Sequence, residues 1–245
     1  MDFTFAASAI AFLAAIAQGV TGFGFGLVLV PLFSVVYDPK AAVAVSLSLG
    51  FLSKLPILWL DRQHVQWRLI APLTVASLVG NFLGTRVLIF ASGATLRLGI
   101  GLIVVALSTL LFFSYRLQIK REGLATGLVG LVSGTLTGAT SMGGPPVVLF
   151  GVNQRWAKES IRANMVALST LTFGFSAGLV ATSGAFTPEL LRLEALMLPA
   201  VVVGLFLGNL AFRRAPRRLM YQIIILFVIA TGVVGAWGGA TALLR

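Results

Sequence analysis

Apolar runs separated by short polar gaps cover the chain: Phe3–Val36, Ala41–Leu60, Trp67–Phe90, Ala94–Tyr115, Gly123–Gly151, Ile161–Gly184, Leu190–Phe212 and Leu219–Leu244. A bilayer core is crossed by about 20 apolar residues. The pattern therefore predicts roughly six to eight membrane helices joined by short loops, with no room for a sizeable soluble domain. Two runs cannot be single helices. Phe3–Val36 would extend about 50 Å at 1.5 Å per residue, well beyond a hydrocarbon core of about 30 Å, and its centre reads Gly19-Val-Thr-Gly-Phe-Gly-Phe-Gly26. The fifth run holds Gly134-Thr-Leu-Thr-Gly-Ala-Thr-Ser-Met-Gly-Gly-Pro-Pro146. Glycine, hydroxyl residues and paired prolines all disfavour a helix interior there. Both runs are expected to break, with Pro31, Pro145 and Pro146 as structural breaks.

The two interruptions are related. Thr21-Gly22 and Thr137-Gly138 lie 116 residues apart, Leu32-Phe33 and Leu149-Phe150 lie 117 apart, Pro72 and Pro199 lie 127 apart, and Gly80-Asn81 and Gly208-Asn209 lie 128 apart. The chain reads as a duplicated unit: an N-terminal repeat over residues 1–115, a polar linker over 116–122 and a C-terminal repeat over 123–245. Basic residues test how the halves are oriented. If each broken run crosses once, Lys and Arg outside the spans divide 10 against 7. If each is instead a hairpin of two short half-helices, the division becomes 12 against 5. The larger set is then Arg62, Arg68, Arg116, Lys120, Arg121, Arg155, Lys158, Arg162, Arg213, Arg214, Arg217 and Arg218. The second arrangement obeys the positive-inside rule better. It predicts an all-α integral membrane protein of two inverted-topology repeats, each a broken, re-entrant glycine-rich helix pair plus three transmembrane helices. A parallel arrangement of the halves is the alternative. A cleaved signal peptide is not expected, because Met1-Asp2 lacks a positive n-region and the first run leads into a duplicated motif.

Composition agrees with this reading. Of 245 residues, 58% are hydrophobic and 10% charged, against roughly a quarter charged in soluble domains, and the mean hydropathy is +1.00. The formal charge of +11 would indicate nucleic acid in a soluble protein, but most basic residues fall in the gaps between spans and set orientation instead. No cysteine is present, which removes disulfides, thiolate nucleophiles and thiolate metal sites.

Non-helical backbone is tolerated within a membrane only where protein or a watery cavity surrounds it. Two such stretches in matching halves therefore point to one central site. Half-helix N-termini attract anions through free N–H groups and dipoles. The candidate substrate-binding set is Gln18, Thr21, Gly22, Gly24, Gly26 and Lys54 from the first half, with Thr137, Gly138, Thr140, Ser141, Gly143 and Gly144 from the second. Lys54 is the one basic residue well inside an unbroken run. It either serves the site or extends its ammonium to the interface. The glycines at 130, 134 and 138 also form a small-residue stripe suited to helix packing. The seven acidic residues, Asp2, Asp38, Asp61, Glu122, Glu159, Glu189 and Glu194, fall at or close to span ends, so no carboxylate relay is expected. His64 reads as a solvated loop residue and Arg86 as an interfacial anchor. The run Gly22–Gly26 lacks the strand and lysine of a nucleotide loop, and no cofactor is expected. Glycine pairs at 80/84 and 204/208 suit either a homodimer or packing within one chain.

At these residues the chain resembles the TauE/SafE family of membrane transporters, whose members are known as sulfite or sulfonate exporters and related permeases. The likeness lies in Gly19–Gly26 followed by Val30-Pro31-Leu32, in the partner Gly134–Pro146, and in duplication over nearly the whole chain. It departs from the family's glycine-dense pattern at Phe23, Phe25 and Ala139-Thr-Ser-Met142. The resemblance implies a secondary transporter of the bacterial-type inner membrane that carries sulfite, organosulfonates or related anions, outward by analogy. A passive anion channel and a non-transport assembly factor are the alternatives. An enzyme is not expected, because no paired carboxylates, activated serine or metal cluster can be assembled.

Overall fold

The computed structural model describes residues 2–112 and 122–214. Most of the expected linker over 116–122 and the expected span Leu219–Leu244 lie outside the described residues. Within them the chain is helical: α1 Asp2–Thr21, α2 Phe25–Val36, α3 Pro39–Asp61, α4 Trp67–Phe90, α5 Gly93–Phe112, α6 Glu122–Thr140, α7 Gly144–Asn153, α8 Lys158–Ala181 and α9 Pro188–Arg214. A short 3₁₀ turn, Arg62–His64, joins α3 to α4. Six of these helices are long and apolar enough to cross a membrane. Large apolar side chains such as Trp59, Val75, Phe90 and Phe206 stay exposed on the outside, which suits a surface bathed in lipid.

Both long apolar runs break, though their arms are unequal. The first arms have 20 and 19 residues and the second arms 12 and 10, so one arm of each pair is full-length where two short half-helices were expected. The first pair doubles back. Phe3, at the start of α1, stacks on Tyr37, just past α2, with ring centroids 5.4 Å apart, and lies 6.3 Å from Phe33. The prolines act differently from the sequence reading. Pro31 is no break, because α2 runs through it; a proline inside a spanning helix is tolerated where neighbours compensate the lost backbone bond. Pro145 and Pro146 begin α7 rather than end α6, a place where a missing N–H is harmless and the fixed φ suits the helix.

The halves repeat in a register slightly different from the one the motifs first indicated. Residues with positive φ, Gly22 and Ser141, lie 119 apart. The starts of α2 and α7, and of α3 and α8, show the same spacing. Thr21-Gly22 therefore corresponds to Thr140-Ser141. The Thr-Gly match at Thr137 is a local coincidence one helical turn early.

Close backbone contacts between the halves hold the bundle together. The most extensive packings are α4 on α6 and α1 on α9, and each joins one half to the other. Both are lined by small residues. A Cβ at Gly130 would press on the Leu73 carbonyl, at Gly134 on that of Ser77, and at Gly138 on that of Asn81. Numbers rise together along both helices, so α4 and α6 run parallel. Gly204 and Gly208 likewise meet the carbonyls of Phe12 and Ile16, so α1 and α9 also run parallel. The pairs 80/84 and 204/208 thus pack within the chain, and their close contacts are with α6 and α1. Such contacts replace the hydrophobic drive that is missing between helices in lipid.

Two glycines of α6 separate this packing from helix propensity. Gly134→Ala should lower stability by about 1–3 kcal/mol through overpacking. Gly127→Ala, where a Cβ would meet nothing within 4 Å, should be neutral or stabilise by up to about 1 kcal/mol. Thermal unfolding of the detergent-purified variants checks both.

Candidate functional site

Each break is a tight turn whose backbone groups are largely satisfied locally. At the first, Gly22 takes φ +84°, a conformation that glycine adopts freely, and its N–H donates to the Gln18 carbonyl at 2.7 Å. The Thr21 hydroxyl donates to the Ala17 carbonyl at 2.8 Å and accepts from the N–H groups of Phe23 and Gly24 at 3.3 and 3.0 Å. At the second, Ser141 takes φ +64° and its N–H donates to the Thr137 carbonyl at 2.7 Å. Thr140 donates to Leu136 at 2.7 Å, while the Ser133 hydroxyl donates to the Gly143 carbonyl at 2.7 Å. The residues preceding the two short helices, Gly24 and Gly143, have nearly the same backbone angles (φ −71°, ψ −4° and φ −74°, ψ −4°).

The breaks touch each other. A side chain at Gly26 would strike the Ser141 carbonyl, and one at Gly144 would strike the Phe23 ring. Ser141 Oγ also meets Ser46 Oγ of α3 at 2.7 Å. Gly22, Gly24 and Gly26 are thereby gathered with Ser141, Gly143 and Gly144 at one crossing.

Beside this crossing lies Lys54. It is 0% exposed, so its ammonium does not reach the interface. The amine donates to Gln18 Oε1 at 3.2 Å and to the Gly50 carbonyl at 3.1 Å, and it stands 3.5 Å from the centroid of the Phe173 ring. Gln18 Nε2 in turn donates to Ser53 Oγ at 2.7 Å. These partners are dipoles and a ring face; none is a carboxylate. An amine so placed is a basic group in a region of low dielectric, where such groups are costly and usually functional. In the register of the halves Lys54 corresponds to Phe173, so the duplicated position holds a cation in one copy and its aromatic partner in the other.

A cavity of about 10 Å³ adjoins the second break, bordered by Thr137, Ser141, Gly143 and Gly144 together with Ser133, Ser169, Thr172, Phe23 and Phe173. That volume holds about one water. Gly138 stands apart, packed on Asn81 and Thr85 of α4. Thr21, Thr137 and Thr140 direct their hydroxyl protons to carbonyls of their own helix, so their hydroxyl hydrogens face away from a ligand.

Sequence reading missed several residues here. Ser169 and Thr172 belong to a hydroxyl-rich stretch of α8 that also contains Thr170 and Ser176, and such a stretch inside an apolar run is a usable signal. Arg162 counts in the sequence as an orientation charge but is buried at 4% exposure. Its Nε lies 3.4 Å from Asp61 Oδ2, its Nη2 donates to Asn209 Oδ1 at 2.9 Å, and its side chain lies against Gly22. Glu194 also departs from expectation: it is 7% exposed in α9 and accepts from Ser48 Oγ at 2.6 Å. Among the described residues, then, one carboxylate is buried within a span.

The family model described as Sulfite exporter TauE/SafE matches residues 7–235. The chain belongs to the TauE/SafE family. It is similar to a "Probable sulfite/organosulfonate exporter TauE" of Cupriavidus necator, 26% identical over 198 residues, which cover 78% of this chain and 77% of the relative. No solved structure matches the chain significantly. Membership makes this a multi-pass membrane protein of a transporter family and not an enzyme. Its broken helices therefore belong to a TauE/SafE protein in which two glycine-rich turns meet next to a buried lysine.

The Thr21 hydroxyl organises the first of those turns. Thr21→Val keeps the shape and removes the acceptor for Phe23 and Gly24 N–H, so stability should fall by about 1 kcal/mol, the usual cost of losing such a cap. The thermal midpoint of the purified variant, compared with that of the parent, checks this.

Proposed function

We propose that this TauE/SafE protein is a secondary carrier of sulfite, organosulfonates or related small anions, exporting them from the cell. The anion is held where the breaks meet, by Lys54, Gln18 and the N–H groups at the start of α2. The observation that carries the reading is the fully buried Lys54, whose amine contacts only neutral groups. A small anion supplies the charge the site lacks. The three N–H groups at Phe25, Gly26 and Leu27 open a helix and add donors of the same polarity. The name of the Cupriavidus necator relative supports the substrate class and the outward direction.

The halves are inverted repeats in this reading. The doubling back of α1 and α2 supports it. So does the agreement of this path with the orientation that gathers the larger basic set on one side of the membrane. Alternating access follows from rocking of one half against the other around the crossing. The tight contact of Gly26 with Ser141 and of Gly144 with Phe23 supports a carrier over a passive channel, since the breaks close on each other instead of framing a pore.

Two measurements test the proposal. In proteoliposomes, sulfite or small sulfonate flux should saturate with concentration and be accelerated by substrate on the opposite side; linear flux without such exchange would sink the carrier. Lys54→Met should abolish stabilisation by these anions, which in the unaltered protein should reach about 2.7 kcal/mol at a hundredfold excess over Kd. The unliganded variant should be at least as stable as the parent, because a buried charge without a counter-ion has been replaced by an apolar side chain of similar length. Unchanged anion binding by Lys54→Met would remove Lys54 from the site.

A further inference from the structure

Helices α3 and α8 begin at equivalent points of the two halves, 119 residues apart, and pack on each other along one seam. Lys54 with Phe173 marks the middle of that seam and Asp61 with Arg162 marks one end, so the two helices run antiparallel. Asp61 follows Lys54 by seven residues and Phe173 follows Arg162 by eleven, close to whole numbers of turns at 3.6 residues each. Each helix therefore carries its members of both pairs on one face. Between Arg162 and Phe173 on that face come Met165 and Ser169, and all but Arg162 border the small cavity. A line of side chains thus leads from Arg162 to the cavity and Lys54.

The two ends of the seam are closed by different chemistry. At one end Arg162 Nε lies 3.4 Å from Asp61 Oδ2, its Nη2 donates to Asn209 Oδ1 at 2.9 Å, and its guanidinium carbon stands 4.1 Å from the centroid of the Phe212 ring. Asp61 is the wetter partner, with 24% of its side chain exposed against 5% for Arg162. At the other end, in the same register, the equivalent positions are Val180 and Val43, both buried. The ionic end lies on the side of the larger basic set, to which Arg62, Lys158 and Arg162 belong, and that side is cytoplasmic by the positive-inside rule.

We propose that Arg162 is the loading site for the transported anion, which enters from the cytoplasmic face by replacing Asp61 on the guanidinium. A buried guanidinium is strongly disfavoured once its carboxylate has gone, so Asp61 turns to water only as another anion takes its place. The arginine fork matches two oxygens of a sulfite or sulfonate as it matches those of a carboxylate. Exchange thereby ties the opening of this end of the seam to the arrival of cargo, and it admits anions alone. From Arg162 the anion passes along α8 to the crossing and the Lys54 amine. The valine end offers no such charge, so loading by exchange is confined to one face. The cargo and the sidedness rest on the carrier reading; the exchange of Asp61 for an anion does not.

Uptake of radiolabelled sulfite and methanesulfonate into inverted membrane vesicles presents the cargo to the cytoplasmic face. Arg162→Gln should raise KM there by roughly tenfold or more, the weight of one or two charge-assisted bonds, and leave the rate at saturation largely unchanged. Asp61→Asn should lower KM, because the competing carboxylate is gone. In thermal unfolding of the purified chain, Asp61→Asn should lower Tm, and sulfite or methanesulfonate should restore it at lower concentration than either needs to stabilise the parent. A pair that merely fastens α3 to α8 predicts otherwise: both variants lose Tm, no anion restores it, and KM stays at the parent value. That result would overturn the loading site. Should Asp61→Asn not fold, Arg162→Gln decides alone, since the Asp61 it leaves behind already meets water. Absence of uptake by the parent would sink the carrier reading, while rescue of Asp61→Asn by the anions, or its absence, would still decide the Arg162 site.

Discussion

Peptide groups cannot be left unpaired in hydrocarbon, where each orphan costs several kcal/mol, and this fold meets that demand with bonds local to each turn and with close packing of one broken helix on the other. Neither turn is sealed by its own half. Gly26 is close enough to the Ser141 carbonyl to exclude any side chain, and Gly144 receives the Phe23 ring in the same way. Each interruption supplies part of the lining of the other. Local bonds do the remainder, with Thr21 capping one turn and Ser133 reaching the Gly143 carbonyl in the other.

That mutual cover creates a polar patch deep in an apolar bundle, and duplication lets the two copies of the patch diverge. Lys54 and Phe173 occupy equivalent positions and face each other. The first turn opens into a helix start with its N–H groups intact, whereas the second opens into prolines and is bordered by hydroxyls. A symmetric architecture thus carries an electrostatically asymmetric centre, positive toward one half and rich in acceptors toward the other. Buried Arg162 beside Gly22 is neutralised by its ion pair with Asp61, so it leaves this asymmetry unchanged.

The parts legible in the sequence were those in which length and polarity conflict. A largely apolar run of 34 residues with glycines at its centre has to break, and a lysine among apolar residues has to be explained. The duplication was visible too, although Thr137-Gly138 imitated the true partner of Thr21-Gly22 one turn early. Illegible were features decided by which face of a helix turns inward. Ser169 and Thr172 bond to carbonyls of their own turn, so their hydroxyl-rich stretch marks α8 without saying which of its faces lines the cavity. Glu194 lies only two turns from the start of α9, and its burial depends on Ser48 from a distant helix. Pro31 reads as a terminator because proline disfavours a helix interior, yet α2 continues through it.

The exchange of partners between halves has a consequence for how the protein is made. The glycine-lined face that joins α1 to α9 brings together two helices synthesised far apart in time. During insertion α1 enters the bilayer with its closest partner still unmade, and its Gln18 side chain waits for Ser53 and Lys54 of α3. The α1–α2 turn then lacks its cover until the α6–α7 turn has been translated. Assembly is therefore complete only once α6, α7 and α9 have been made, and until then the first half carries a turn that another part of the chain is to cover.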